Sequence, residues 1–87
     1  MCWLGRLFKS KKKDCKDYSK ERLAYHKDRG ERARICQGWY DDSPHMWVEY
    51  LKGDKWIVDD RAVHYKGDRN DHYKLKAWIE NGTVGTT

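Results

Sequence analysis

With 87 residues the chain has room for one domain and no second. So short a chain buries only roughly 60 % of the surface it exposes when unfolded, and its core rests on five Trp and six Tyr, large apolar bodies with few rotatable bonds. The net charge of +5 is uneven: twelve Lys/Arg against five Asp/Glu over residues 1–34, a balance of +7, and seven against nine over residues 35–87, a balance of −2; no apolar run approaches the length of a membrane span.

In MCWLGRLF (1–8), Trp3, Leu4, Leu7 and Phe8 fall at helical spacing, with Arg6 and Lys9 on the other side. That pattern reads as a short helix packed on the core or as an anchor for a membrane or partner. Lys11–Lys13 interrupts it. Asp14 suits an N-cap, with Asp17 three positions on, and opens a predicted helix over 15–29 that Gly30 closes. Its apolar face is weak: Cys15, Tyr18, Ser19, Arg22 and Leu23 share one side.

Beyond Gly30 the period becomes two. ARICQGWY (33–40) alternates Ala33, Ile35, Gln37 and Trp39 against Arg34, Cys36, Gly38 and Tyr40. Asp41-Asp42-Ser43-Pro44 is a turn signal. HMWVEYL (45–51) and KWIVD (55–59) are aromatic and β-branched, joined across Lys52-Gly53-Asp54 as a hairpin. Residues 72–79 alternate Tyr73, Leu75, Ala77 and Ile79, which suits a fourth strand or a short helix, and 81–87 is expected to fray.

A thiol nucleophile needs a stabilised thiolate, a base within reach and a third group fixing that base. Cys15 in the first turn of a helix meets the first need, because unpaired N–H groups and the helix dipole favour negative charge there. His45 opens a strand, and an acid closes the next. A three-residue loop 52–54 pairs Trp47 with Asp59 and leaves His45 and Asp59 diagonal neighbours on one face; a two-residue loop Gly53-Asp54 pairs Val48 with Asp59 and turns Asp60 towards the histidine instead. Asp59 and Asp60 therefore compete. Cys36 is central in a strand and reads as a small buried apolar residue, and Glu49 as a buried acid paired with Arg34. The three cysteines form no CxxC pair, and with His26, His64 and His72 they give no zinc spacing, so no metal and no cofactor is expected. Free thiols and the lack of a secretory leader point to the cytoplasm.

The ordered set Cys15 with Asp17-Tyr18, Gly30, Ala33-Arg34 with Gly38-Trp39, His45-Met46-Trp47-Val48-Glu49 and Trp56-Ile57-Val58-Asp59 resembles the transglutaminase-like superfamily, especially its bacterial cysteine-peptidase-like members. The resemblance runs over about half the chain, residues 14–60, and no single piece of it is specific. It implies an α+β fold, a papain-like or transglutaminase-like core, in which a helix carrying Cys15 at its N-terminus packs on a small antiparallel sheet of three to four strands. It also implies Cys15 as nucleophile, His45 as base and later acid, and Asp59 as orienting carboxylate, with Asp60 the alternative acid. Trp3 and Trp47 are the candidates for lining the oxyanion or substrate site. The chemistry implied is attack on an amide or peptide carbonyl, a thioester, then transfer to water or an amine. The departures are Lys13-Asp14 where the family carries a glycine before the cysteine, and a short upstream region. The competing reading is a binding protein without turnover that captures an anionic small molecule, a nucleotide or a protein through the basic first half. Nucleic acid is not an expected partner, since no recognised motif for it is present.

Overall fold

The computed structural model describes residues 15–87: one helix followed by six strands. The helix α1 (Cys15–Asp28) ends where the sequence says it must. Gly30 takes φ 77°, its N–H bonds to the Lys27 carbonyl at 3.0 Å, and the Glu31 N–H bonds to the His26 carbonyl at 3.0 Å. This paired closure satisfies two of the last carbonyls and needs a residue at ease with positive φ. The Trp3 segment and the proposed Asp14 cap lie outside the described residues.

The strands are β1 (Ala33–Tyr40), β2 (Ser43–Lys52), β3 (Lys55–Asp60), β4 (Tyr65–Gly67), β5 (Tyr73–Glu80) and β6 (Thr83–Thr86). They form one antiparallel sheet in the order β4-β3-β2-β1-β5-β6. Tight two-residue turns set three of the hairpins. Asp41 and Asp42 both have positive φ, at 49° and 68°, so the first turn is two residues long, and Ser43 and Pro44 already belong to β2. Gly53-Asp54 joins β2 to β3, with Lys52 paired to Lys55. Asn81 and Gly82, at φ 50° and 81°, join β5 to β6; Asn-Gly is the residue pair that this mirror-image turn prefers.

β1 and β5 do not pair evenly. Gln37 faces Ala77 and Gly38 faces Leu75, so Lys76 is an extra residue and the register shifts. The close approach at this bulge is possible because position 38 has no side chain: a Cβ there would lie 1.9 Å from the Lys74 carbonyl oxygen. The bulge also re-aims the strand. Tyr73, Leu75 and Trp78 pack into the core cluster, whereas strict alternation had Tyr73, Leu75, Ala77 and Ile79 on one side.

The sheet is curled. In a flat sheet β4 and β5, four places apart in the order, would be roughly 19 Å apart at the usual strand spacing. Yet the rings of Tyr65 on β4 and Tyr73 on β5 lie 6.0 Å apart. The concave interior holds Cys36, Trp47, Val58 and Tyr73, with Tyr40, Val63, Tyr65, Leu75 and Trp78 around them. The convex side holds Ala33, Val48 and Tyr50, covered through Leu23 of α1 and flanked by Ile35 and Ile57.

This corrects the expected architecture. The chain is a small β-rich domain, not a papain-like α+β core with a helix on three to four strands. The central meander β1–β3 lies where the periodicity placed it. Residues 61–87, of which 72–79 were left between strand and helix and 81–87 were expected to fray, instead supply three further strands: β4 beside β3, β5 beside β1, and β6 beside β5. No helix among the described residues is long and apolar enough to cross a membrane.

Candidate functional site

The β2–β3 register decides which acid meets which histidine. Val48 pairs with Asp59, the outcome of the two-residue loop. Side chains alternate faces along a strand, so His45, Trp47 and Glu49 point inward, and Val48 and Tyr50 outward to α1. Asp60 then points inward and Asp59 outward.

His45 Nε2 is 2.7 Å from Asp60 Oδ2. Two further groups hold the carboxylate: the Tyr73 hydroxyl donates to Oδ2 at 2.8 Å, and the Ala62 N–H donates to Oδ1 at 3.1 Å. Both members of the His45–Asp60 pair are enclosed, with side chains 0 % and 2 % exposed. A carboxylate accepts hydrogen bonds, so in this pair the His45 Nε2–H is the donor and Asp60 Oδ2 the acceptor. Trp47 stacks on His45 at 6.0 Å, and the Tyr40 ring meets it edge-on at 5.7 Å. Of the predicted lining residues, Trp47 is thus beside the histidine, as part of the core.

Asp59 does other work. Its Oδ2 is 2.7 Å from His26 Nε2 and accepts from Arg22 Nε at 2.8 Å. The second nitrogen of His26, Nδ1, is 2.7 Å from Glu31 Oε1, a bond that is the first reason the Glu31 carboxyl sits below its ordinary range. The His26 ring is 1 % exposed and stacks on Tyr50 at 4.2 Å. This second cluster ties α1 to the sheet. Spacing carried a signal for it: His26 continues the face of Ser19, Arg22 and Leu23.

Cys15 supplies the first backbone position of α1; its side chain, like Trp3, lies outside what is described. The helix covers the outer face of β2, while His45 is on the inner face. Cys36 is fully enclosed, and burial first, then the nearby Glu49, pushes its thiol far above the ordinary value, so it is no nucleophile. Among the described residues no group of acids, histidines and cysteines is arranged to hold a metal ion. Two open hollows of about 390 and 280 Å³ lie around Arg32, Glu80 and Asn81, with neither His45 nor Asp60 in their walls.

No family model matches the chain, and no solved structure matches it. Among curated proteins it is similar to cell division control protein 4 of Candida albicans, 35 % identical over 48 residues. The matched stretch is 53 % of this chain and spans only 7 % of that protein's length.

Proposed function

We propose that the chain is a cysteine-dependent hydrolase or acyltransferase acting on amide bonds, with Cys15 as nucleophile, His45 as base and Asp60, in place of Asp59, as the orienting acid. The observation that carries this reading is the enclosed His45–Asp60 pair at 2.7 Å. A carboxylate on one ring nitrogen fixes the tautomer and steadies the imidazolium that forms when the other nitrogen takes a proton.

The reach of the helix supports Cys15 as the partner. Only four residues separate α1 from β1, whose first residue, Ala33, pairs with Tyr50. The helix end therefore lies near Tyr50, and α1 runs back along β2 towards its start. From His26 to Cys15 is a rise of about 16 Å; from Tyr50 back to His45 is also about 16 Å. His45 is the third residue of β2, at the rim of the sheet.

In this reading His45 Nδ1 takes the thiol proton as the sulfur attacks the carbonyl carbon. The tetrahedral intermediate collapses, the C–N bond breaks, and Nδ1–H protonates the leaving amine. Water or a second amine, deprotonated by the same nitrogen, then opens the thioester. A reducing cytoplasm suits the free thiol.

One observation favours a second reading, a binding domain without turnover: the His45 side chain is fully enclosed, as in a purely structural clip. Iodoacetamide labelling read by peptide mass spectrometry separates the two. The enzyme reading expects Cys15 to react faster than a free cysteine at pH 7, and His45→Gln to slow it at least about tenfold. Cys36 serves as an internal control that labels only on unfolding. Equal Cys15 rates in the parent and a folded His45→Gln chain would leave the binding reading standing.

A further inference from the structure

Asp60 is held from three strands' worth of distance. It ends β3, whereas Tyr73 begins β5, and β2 and β1 lie between them in the sheet. The Tyr73 hydroxyl nevertheless reaches the carboxylate at 2.8 Å, across the concave interior. It bonds to Oδ2, the same oxygen that His45 Nε2 uses. Its ring is fixed on several sides: Trp47 at 4.9 Å, Tyr40 edge-on at 5.0 Å and Tyr65 at 6.0 Å. Burial first, then the charge of Asp60, pushes the hydroxyl far above its ordinary titration range, so it remains a donor at any pH the protein meets.

These facts separate Tyr73 from an ordinary core tyrosine. Packing needs the ring and not the oxygen. The oxygen finds one acceptor, and that acceptor governs the tautomer of the histidine. Removing it leaves Oδ2 with the His45 Nε2–H as its one donor and loosens a carboxylate otherwise held only by that bond and the Ala62 N–H on Oδ1.

We propose that Tyr73 is a positioning residue: its hydroxyl locks the Asp60 oxygen that receives the Nε2–H of His45. The effect on the ring stands on the geometry alone; its consequence for catalysis rests on the thiol reading above.

The test uses the full chain and Tyr73→Phe, which deletes a single oxygen. Nitrogen-15 NMR of the imidazole reports the His45 tautomer, and iodoacetamide reports the Cys15 rate. The parent is expected to show one Nε2–H tautomer with slowly exchanging hydrogen. Tyr73→Phe is expected to show mixed tautomers or an Nε2–H signal broadened by exchange, and a Cys15 rate lowered about threefold to tenfold at unchanged circular dichroism. Incorporating 3-fluorotyrosine at 73, which restores a hydroxyl, is expected to recover both. If Tyr73→Phe does not fold, the fluorotyrosine chain still decides: its more acidic hydroxyl must move the Nε2–H resonance, and an unmoved signal overturns the proposal. The two failures are distinct. A parent Cys15 no faster than a free thiol overturns the thiol reading, and an unchanged tautomer in folded Tyr73→Phe overturns the role of Tyr73.

Discussion

Glu49 lies at the middle of β2 with no exposed surface, and four short hydrogen bonds surround it. Arg34 Nη2 and Arg69 Nη2 each donate to Oε1 at 2.8 Å; Arg69 Nε at 2.8 Å and Trp47 Nε1 at 3.0 Å donate to Oε2. Burial alone would raise this carboxyl, but the bonds from Arg69, Trp47 and Arg34 outweigh it and hold the group at about 2, against 4.5 for an ordinary glutamate. The depressed value gives stability that is fully present above about pH 4.5 and is lost as the pH falls towards 2; the full span is worth about 3 kcal/mol. Urea unfolding at a series of pH values is expected to show this loss in the parent chain. Glu49→Gln is expected to remove that acid-sensitive component, and at neutral pH to cost about 3 kcal/mol, because the buried Arg34 and the half-buried Arg69 lose their shared counter-charge. An unaltered pH profile in Glu49→Gln would mean that the acid sensitivity comes from other carboxylates. The Arg34–Glu49 pair was foreseeable from cross-strand alternation. The second arginine was not, because Arg69 arrives from the loop before β5 and no local pattern links it to β2.

At the scale of elements, one loop residue decides which acid faces which histidine. With three residues in the β2–β3 turn, Asp59 would face inward; with Gly53-Asp54 alone, Asp60 does. Both acids are used, on opposite faces of the same strand, Asp60 by His45 and Asp59 by His26 and Arg22. The paired substitutions should therefore diverge. Asp59→Asn is expected to loosen α1 and lower stability by about 2–4 kcal/mol, leaving the His45 tautomer intact. Asp60→Asn is expected to disturb that tautomer and slow Cys15 alkylation by about tenfold or more. Thermal unfolding and the labelling rate measure the two effects, and identical behaviour in both variants would contradict the register. The sequence itself left the two acids tied, since side-chain alternation fixes which residues share a face and not the turn length between strands. β1 to β3 were legible because their alternating aromatic and β-branched residues are strong. β6 was not read: Asn81-Gly82 carries a turn signal, but a short strand of Thr, Val and Gly looked like a fraying tail. The bulge at Lys76 was invisible. It arises because β5 must follow the curl of β1 at Gly38, a demand of the tertiary structure that no local propensity encodes.

The whole molecule is held together by bonds that cross its curled sheet. Tyr73 to Asp60 and Arg69 to Glu49 both join the β4–β5 segment to the β2–β3 hairpin, around the interior rather than along the hydrogen-bonded ladder. A β4 edge of only three residues has little pairing of its own, so its place depends on these bridges. Arg34 adds a third kind of link: its guanidinium lies between the rings of Trp56 on β3 and Trp78 on β5, at 4.1 Å and 4.7 Å, closing the sheet towards the other end. If the bridges shape the curl, removing one should open the closure locally before the meander fails. Arg69→Met keeps much of the stem and removes the fork that grips Glu49. Hydrogen exchange in that variant is expected to accelerate about a hundredfold at the β3–β4 amides and at the start of β5, with the central β1–β2 amides least affected, since their protection comes from a ladder the bridge does not touch. Acceleration spread evenly over all six strands would show instead that the domain opens only as one unit, and that the curl is a property of the meander and not of the side chains that span it.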